Sequence, residues 1–263
     1  MLKRLLFLFL ISFIVVPLCM PVIFSFSLFW QDIFPQGFTL QWYEAILTRP
    51  RTYSALLTSL VVAFAAVSIT LLISAPAAYA LNRMDTPFGR WIRDTAPILT
   101  LIFPPVTVGT ALVLAFSRPP LMLSGNVWMV IIAHSLIGLP FMFRNTLASF
   151  RTLNERLLSE AAASLGANLW QRLVYVIIPN VMPGILVGAL VVFAISIGEF
   201  EVTSMVAGFT GQTLPLQLFQ QIRNDMRIAS AISSFLVYNS LLSFIAISYL
   251  SAQIRGGPDR RAA

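Results

Sequence analysis

The sequence predicts an all-α membrane protein of six transmembrane helices with both termini in the cytoplasm. Three observations predict it. Of its 263 residues, 58% are hydrophobic and 10% charged, and the mean hydropathy is +0.85. A soluble domain carries roughly 25% charged residues, so this chain cannot cover a soluble surface. The apolar residues gather in runs near the ~20 residues that a bilayer-crossing helix needs. The basic residues are also lopsided. With six spans, twelve Lys and Arg fall on the side of the termini and five on the other, which marks the first side as cytoplasmic.

The formal charge of +7 is spread singly between apolar runs, a pattern of membrane topology rather than of nucleic-acid binding. Cys19 is the only cysteine and His134 the only histidine, so neither an internal disulfide nor a metal site is expected. Lys3 is the only lysine. A phosphate loop of the form GxxxxGK[ST] is therefore impossible, and any ATP must be bound by another polypeptide.

Taken in order, residues 1–54 read as an N-terminal span and its periplasmic connection. Leu5 to about Trp30 is too long for a signal-peptide core and carries Pro17 and Pro21. Gln31 to Ser54 is polar, with Asp32, Glu44, Arg49 and Arg51. Residues 55–251 hold the main membrane domain. Its second span runs from Ala55 to Leu81 with a kink expected at Pro76, and a basic loop follows with Arg83, Arg90 and Arg93. The third covers Thr95 to Phe116 and includes Pro104 and Pro105, and the fourth covers Asn126 to Phe143. The fifth begins near Val181, with Gly184 and Gly188 at a spacing that lets helices approach closely. The sixth runs from Ile228 to Ser251, and residues 252–263 form a cytoplasmic tail.

Between spans four and five lies a polar island, Thr152 to Pro179. Thr152 and Glu155 have capping-box spacing. Leu153, Leu157, Leu158, Ala161, Ala162 and Leu165 share one helical face, opposite Glu155, Ser159 and Glu160. Gly166 suits a helix stop, Asn168 a second cap and Pro179 an end. On pattern alone, the island reads as two short amphipathic helices, and such a pair can also lie on a lipid surface.

The residues carry more than a pattern. Glu160-Ala161-Ala162, Gly166 after three residues, and Val176-Ile177-Ile178-Pro179 after nine more resemble the EAA signature of ABC importer permeases. Val176 and Ile178 are conservative departures from it. Ala75 to Arg83, Pro104 to Leu112, Ala133 to Phe141, and the GEFEVTSMVAG and TLPL segments resemble the same family. The overall likeness is greatest to its spermidine/putrescine permeases of the C type, while the last two segments also resemble molybdate, sulfate and thiamine permeases.

This resemblance implies a type I ABC importer permease fold in a bacterial inner membrane. It implies a second permease subunit, identical or paralogous, an ABC ATPase dimer that binds ATP and magnesium, and a periplasmic solute-binding protein. Glu160, Ala161, Ala162, Gly166 and Pro179 become the ATPase-coupling residues of a transport subunit that is not itself an enzyme. A polyamine or related small amine is the expected solute, with an oxyanion, thiamine or iron as alternatives. An ion-coupled secondary transporter would need an internal repeat and a network of membrane ionisable groups, and an intramembrane enzyme a catalytic cluster. The sequence displays none of these.

Three further groups invite a function. His134 in mid-span is either a pathway residue or a hydrogen-bonding partner for a neighbouring helix. Glu199 and Glu201 either meet a cationic solute or sit at the outer interface. On one helix they diverge by ~200°, so both can face a pathway only if the helix breaks near Gly198. Arg223, Asp225 and Arg227 either meet the binding protein or anchor the sixth span.

Overall fold

The computed structural model describes residues 2–30, 34–120 and 122–255. Helix α1 (Leu2–Ser25) leads into a two-stranded antiparallel ribbon, β1 (Ser27–Phe29) and β2 (Gln36–Phe38), with Ser27 opposite Phe38 and Phe29 opposite Gln36. Then come α2 (Gln41–Thr48), α3 (Pro50–Arg83), α4 (Pro87–Ile102), α5 (Pro105–Phe116), α6 (Val127–Thr152) and α7 (Glu155–Ser164). A helical stretch from Leu169 to Gly198 comprises α8 (Leu169–Gln171), a π-helical turn (Arg172–Ile177) and α9 (Ile178–Gly198). The chain finishes with α10 (Glu201–Val206), α11 (Leu214–Asn224) and α12 (Met226–Arg255). Asp32 and positions 256–263 of the expected tail lie outside the described residues.

Several expectations need correcting. Among the described residues five helices are long and apolar enough to cross a bilayer, namely α1, α3, α6, the Leu169–Gly198 stretch and α12, and α5 is a shorter apolar helix. The expected third span is instead the broken pair α4 and α5. Pro104 and Pro105 offer no N–H, and a residue before proline is pushed out of the helical region. Phe103 accordingly sits at φ −83°, ψ 127°. The basic loop before it is mostly helix, because Thr86 caps α4 by accepting from the N–H of Gly89 at 3.1 Å. The fourth span runs on to Thr152, and the fifth is helical from Leu169 rather than from Val181. The ribbon is a small departure from an all-α chain, held where Phe26 stacks on Phe38 at 5.4 Å.

The chain forms two compact units. Residues 1–60 and 212–241 make the first, around a core of Trp42, Ile46, Leu56, Leu214, Ile228 and Ile232. Trp42 Nε1 donates to the Ser27 carbonyl at 2.8 Å, and the Arg227 guanidinium lies 4.5 Å over its ring. Arg227 also pairs with Asp225 at 3.3 Å, while Arg223 lies over Phe219 at 5.8 Å.

Residues 61–211 and 242–263 make the second unit. Its core joins Phe143, Leu147 and Phe150 of α6 to Ile177, Val181 and Ile185, with Ala78 of α3. Gly184 and Gly188 lie at this seam. A Cβ on Gly184 would collide with the Ser149 side chain, and one on Gly188 would come within 3.0 Å of Met142 Sδ. Small residues at a helix crossing let the backbones approach closely, and here they bring α9 against α6.

Candidate functional site

The polar island folds as a helix, a tight turn and a second helix, but not from the ends the sequence suggests. Thr152 is the last residue of α6, and its hydroxyl donates to the Ser149 carbonyl at 3.0 Å. Asn154 caps α7 instead, its side chain accepting from the N–H of Leu157. Asn is a strong N-cap residue, so the local chemistry had two solutions two residues apart. Freed from capping, Glu155 turns inward.

That inward turn buries the polar face of α7 and leaves the leucine face outside. Glu155 is 3% exposed and Ser159 is buried, whereas Leu157 and Leu158 are exposed and Leu165 is 90% exposed. The cause is the guanidinium beneath the helix. Arg83, at the end of α3, grips Glu155 through both carboxylate oxygens, Nη2 to Oε1 at 2.7 Å and Nε to Oε2 at 3.2 Å. Arg83 Nη2 and Arg172 Nη1 each donate to Ser159 Oγ at 3.2 Å. The Arg83 guanidinium lies 4.8 Å over the Tyr79 ring. A bidentate Arg–carboxylate pair fixes geometry as well as energy, so α7 is tied both to α3 and to the π-helical turn.

Gly166 adopts φ +85°. The Gly166 N–H reaches the Ala163 carbonyl at 2.9 Å and the Ala167 N–H reaches that of Ala162 at 3.0 Å. This pair of bonds closes α7 through its cap residue Leu165, at φ −85°, and the left-handed conformation of Gly166 beyond it is one that favours glycine. Asn168 then starts the second helix. Its side chain accepts from the Gln171 N–H at 2.9 Å, and the Gln171 side chain accepts from the Asn168 N–H at 2.9 Å.

Pro179 does not end the unit. It lies in the first turn of α9, where a missing N–H costs little if the hydrogen-bond register changes there. The change is visible: the N–H of Ile178 bonds Leu173, five residues back. The wide turn lets one continuous helical stretch, Leu169–Gly198, carry the island into a long apolar helix. Glu160 and Ala161 are exposed and Ala162 half-buried. Trp170, at 71%, and Tyr175 are exposed as well.

The other candidates are placed apart from this unit. His134 is buried, with Nδ1 2.7 Å from Ser196 Oγ and Nε2 2.8 Å from Thr203 Oγ1. It bridges α6, α9 and α10, and both ring nitrogens are engaged. The helix does break after Gly198, and Glu199 uses the break. Its Oε1 accepts from the Val202 N–H at 2.8 Å, so it caps α10. Glu201 stands exposed in the first turn of α10. Among the described residues no group of three His, Cys, Asp or Glu side chains could hold a metal ion.

A short helix held by its polar side is thus joined through a turn to a long apolar helix. Residues 76–256 match the family of binding-protein-dependent transport system inner membrane components. The chain belongs to this family. It is an ABC importer permease subunit and a multi-pass component of the inner membrane.

The permease is 30% identical over 245 residues, 93% of its length and 91% of the relative's, to a Salmonella typhimurium protein named "Putative 2-aminoethylphosphonate transport system permease protein PhnV". The molybdenum permease ModB of Mycobacterium tuberculosis is 31% identical over 223 residues, covering 78% of this chain and 82% of that one. The spermidine/putrescine permease PotC of Escherichia coli is 26% identical over 236 residues, 89% and 88% of the two chains. In fold, the permease matches a bacterial alginate importer with a TM-score of 0.64 at 15% identity, over 96% of this chain and 94% of the other. The inward-facing MetNI methionine transporter gives 0.60 at 16%, over 79% and 99%.

Sequence reasoning placed Glu155 and Ser159 in the island but missed that they face Arg83 and Arg172. One signal was present. Glu155, Ser159 and Ala162 recur every three to four residues, a stripe as regular as the leucine stripe and able to face inward if a cation waits there.

Proposed function

We propose that the permease forms half of an importer channel and that α7 is the helix its ATPase grips. The observation that carries this is the outward leucine face of α7. Its polar side is locked onto Arg83 and Arg172, which leaves Glu160, Leu157, Leu158 and Leu165 outward for another protein. Large apolar side chains grouped on an exposed face mark an interaction surface. In this reading the ATPase dimer binds ATP and magnesium, closes, and draws the two permeases' α7 helices together. The Arg83 tie and the π-helical joint pass that movement to α3 and α9. The island and both termini are cytoplasmic, and a periplasmic binding protein delivers the solute to a pair of permeases.

For the solute, the reading best supported is a small molecule bearing both an amine and an oxyanion, of the aminophosphonate type. A relative named for 2-aminoethylphosphonate transport aligns over 93% of this chain at 30% identity. Polyamine import is the second reading, supported by the PotC relatives at 24–26%. The test is reconstitution with the partner ATPase and binding protein, followed by ATP hydrolysis with each solute in turn. Stimulation by 2-aminoethylphosphonate and not by putrescine is the expected result. The opposite pattern replaces the solute reading, and uptake driven by an ion gradient without any ATPase overturns the importer mechanism itself.

A further inference from the structure

At the end of α6 that carries the coupling unit, α4 and α6 flank a cavity of about 740 Å³. It is lined by Arg93, Arg144, Arg151, Asn145 and Thr152, with Asp94 as its one carboxylate. Three guanidiniums against one carboxylate leave an excess positive charge at a site of its own. Arg144 and Arg151 are seven residues apart, so they project from one face of α6, ~10 Å apart along its axis. Long guanidinium arms can converge over that distance.

The third arginine is held from α4. The Arg93 side chain is 14% exposed, and its Nη1 donates to the Leu81 carbonyl at 3.3 Å. Its Nε is buried without a hydrogen-bond acceptor. The nearest anion to it, Asp94 Oδ1, stands 4.0 Å away and is already bonded to Arg151 Nη2 at 3.2 Å. Arg144 makes no ion pair among the described residues. One carboxylate is thus shared by two arginines, and a third is left over. The missing chemistry is an anion with several acceptor oxygens, for which the planar guanidinium fork is matched.

We infer that this cavity binds a phosphate-type tetrahedral oxyanion through Arg144, Arg151 and Arg93, with Asp94 as an internal competitor for the same donors. The oxyanion can come from either of two sources: a free ion in solution, or the headgroup of an acidic phospholipid, since basic pockets between membrane helices bind such headgroups. The inference does not depend on which solute is transported.

The test uses the permease–ATPase complex in two kinds of lipid nanodisc. In phosphatidylcholine discs, binding of inorganic phosphate is measured, with the ATPase alone as blank. In discs containing phosphatidylglycerol, lipid retained after detergent exchange is measured by native mass spectrometry. The arm that responds identifies the source. In that arm Arg144→Gln and Arg151→Gln should each weaken binding about ten-fold, as loss of a charged hydrogen bond predicts. Arg144→Lys should weaken it less, and Asp94→Asn should strengthen it several-fold by removing the competitor. A merely structural cluster predicts the reverse sign for Asp94→Asn. No binding in either arm, binding indifferent to Arg144→Gln and Arg151→Gln, or binding weakened by Asp94→Asn overturns the proposal.

Discussion

The polar cluster around His134 lies within α6 and the island follows the end of α6, and they are finished differently. At His134 both ring nitrogens meet hydroxyls at 2.7 and 2.8 Å, and only 3% of the residue is exposed. Nothing is left over for another molecule. In the island the inner side is tied by Arg83 on Glu155 and Ser159, with Arg172 Nε and the Tyr79 hydroxyl buried beside them without a hydrogen-bond partner. The outer side keeps Glu160 without an ion pair among the described residues, beside exposed leucines and Trp170. An unpaired buried polar group costs about 1–3 kcal/mol, which explains the pairing of His134 and of the Glu155 carboxylate. No such cost explains the apolar residues left outside. The contrast is that α7 is fastened on one side and left open on the other, which is what the proposed grip by an ATPase requires.

The largest effect should come from charge reversal on the outer side. Glu160→Lys is expected to reduce solute-stimulated ATP hydrolysis by roughly thirty-fold, as an interface charge worth about 2 kcal/mol implies. Its thermal unfolding should stay near wild type, because an exposed substitution rarely shifts stability by more than about 0.5 kcal/mol. A fall in both quantities together would place Glu160 with Glu155 as a structural group and erase the contrast.

The inner side should behave in the opposite way. Removing one partner of a buried ion pair costs about 3–5 kcal/mol, and the Arg83 side chain is 37% exposed, so Glu155→Gln should cost about 2 kcal/mol after allowance for solvent. The informative measurement is a double-mutant cycle with Arg83→Met. A coupling energy near 2 kcal/mol is expected, and additive effects would show that the fork holds nothing. At His134, Phe in place of His leaves the Ser196 and Thr203 hydroxyls without their partner. It should cost about 2 kcal/mol of stability while the ATPase activity per folded molecule stays the same. Loss of activity at unchanged stability would make His134 a pathway residue after all.

How much of this was legible follows from the physics of each part. Apolar runs announce spans, and the helix ends at Gly166 and Asn168 are set by neighbours within a few residues, so both could be read locally. The break at Pro104 is invisible to hydropathy, because α4 and α5 are apolar on either side of it. Pro179 was misread because a proline looks like a stop until the π-helical turn before it is seen to absorb the missing donor. Which face of α7 turns inward is not readable from the stripe alone. An apolar stripe is expected to turn inward only when what lies inside is apolar, and here the neighbour is Arg83, 72 residues away in sequence. Long-range charge decides the rotation of the helix, and a single sequence offers no measure of it.

The smallest effect tests the turn that ends α7. Gly166 is left-handed at φ +85°, and a Cβ there would meet nothing within 4 Å. Gly166→Ala therefore reports backbone strain alone, about 1 kcal/mol, with no packing change to confuse it. If the outward side must be presented at a fixed angle, that strain should appear as a several-fold loss of solute-stimulated ATP hydrolysis with only a small fall in unfolding temperature. Gly166→Asn is the control, since Asn tolerates the left-handed region better than Ala and should recover part of the loss. Equal activity in the two variants would mean that the turn needs only flexibility, and that the Arg83 fork alone sets the direction in which α7 faces its partner.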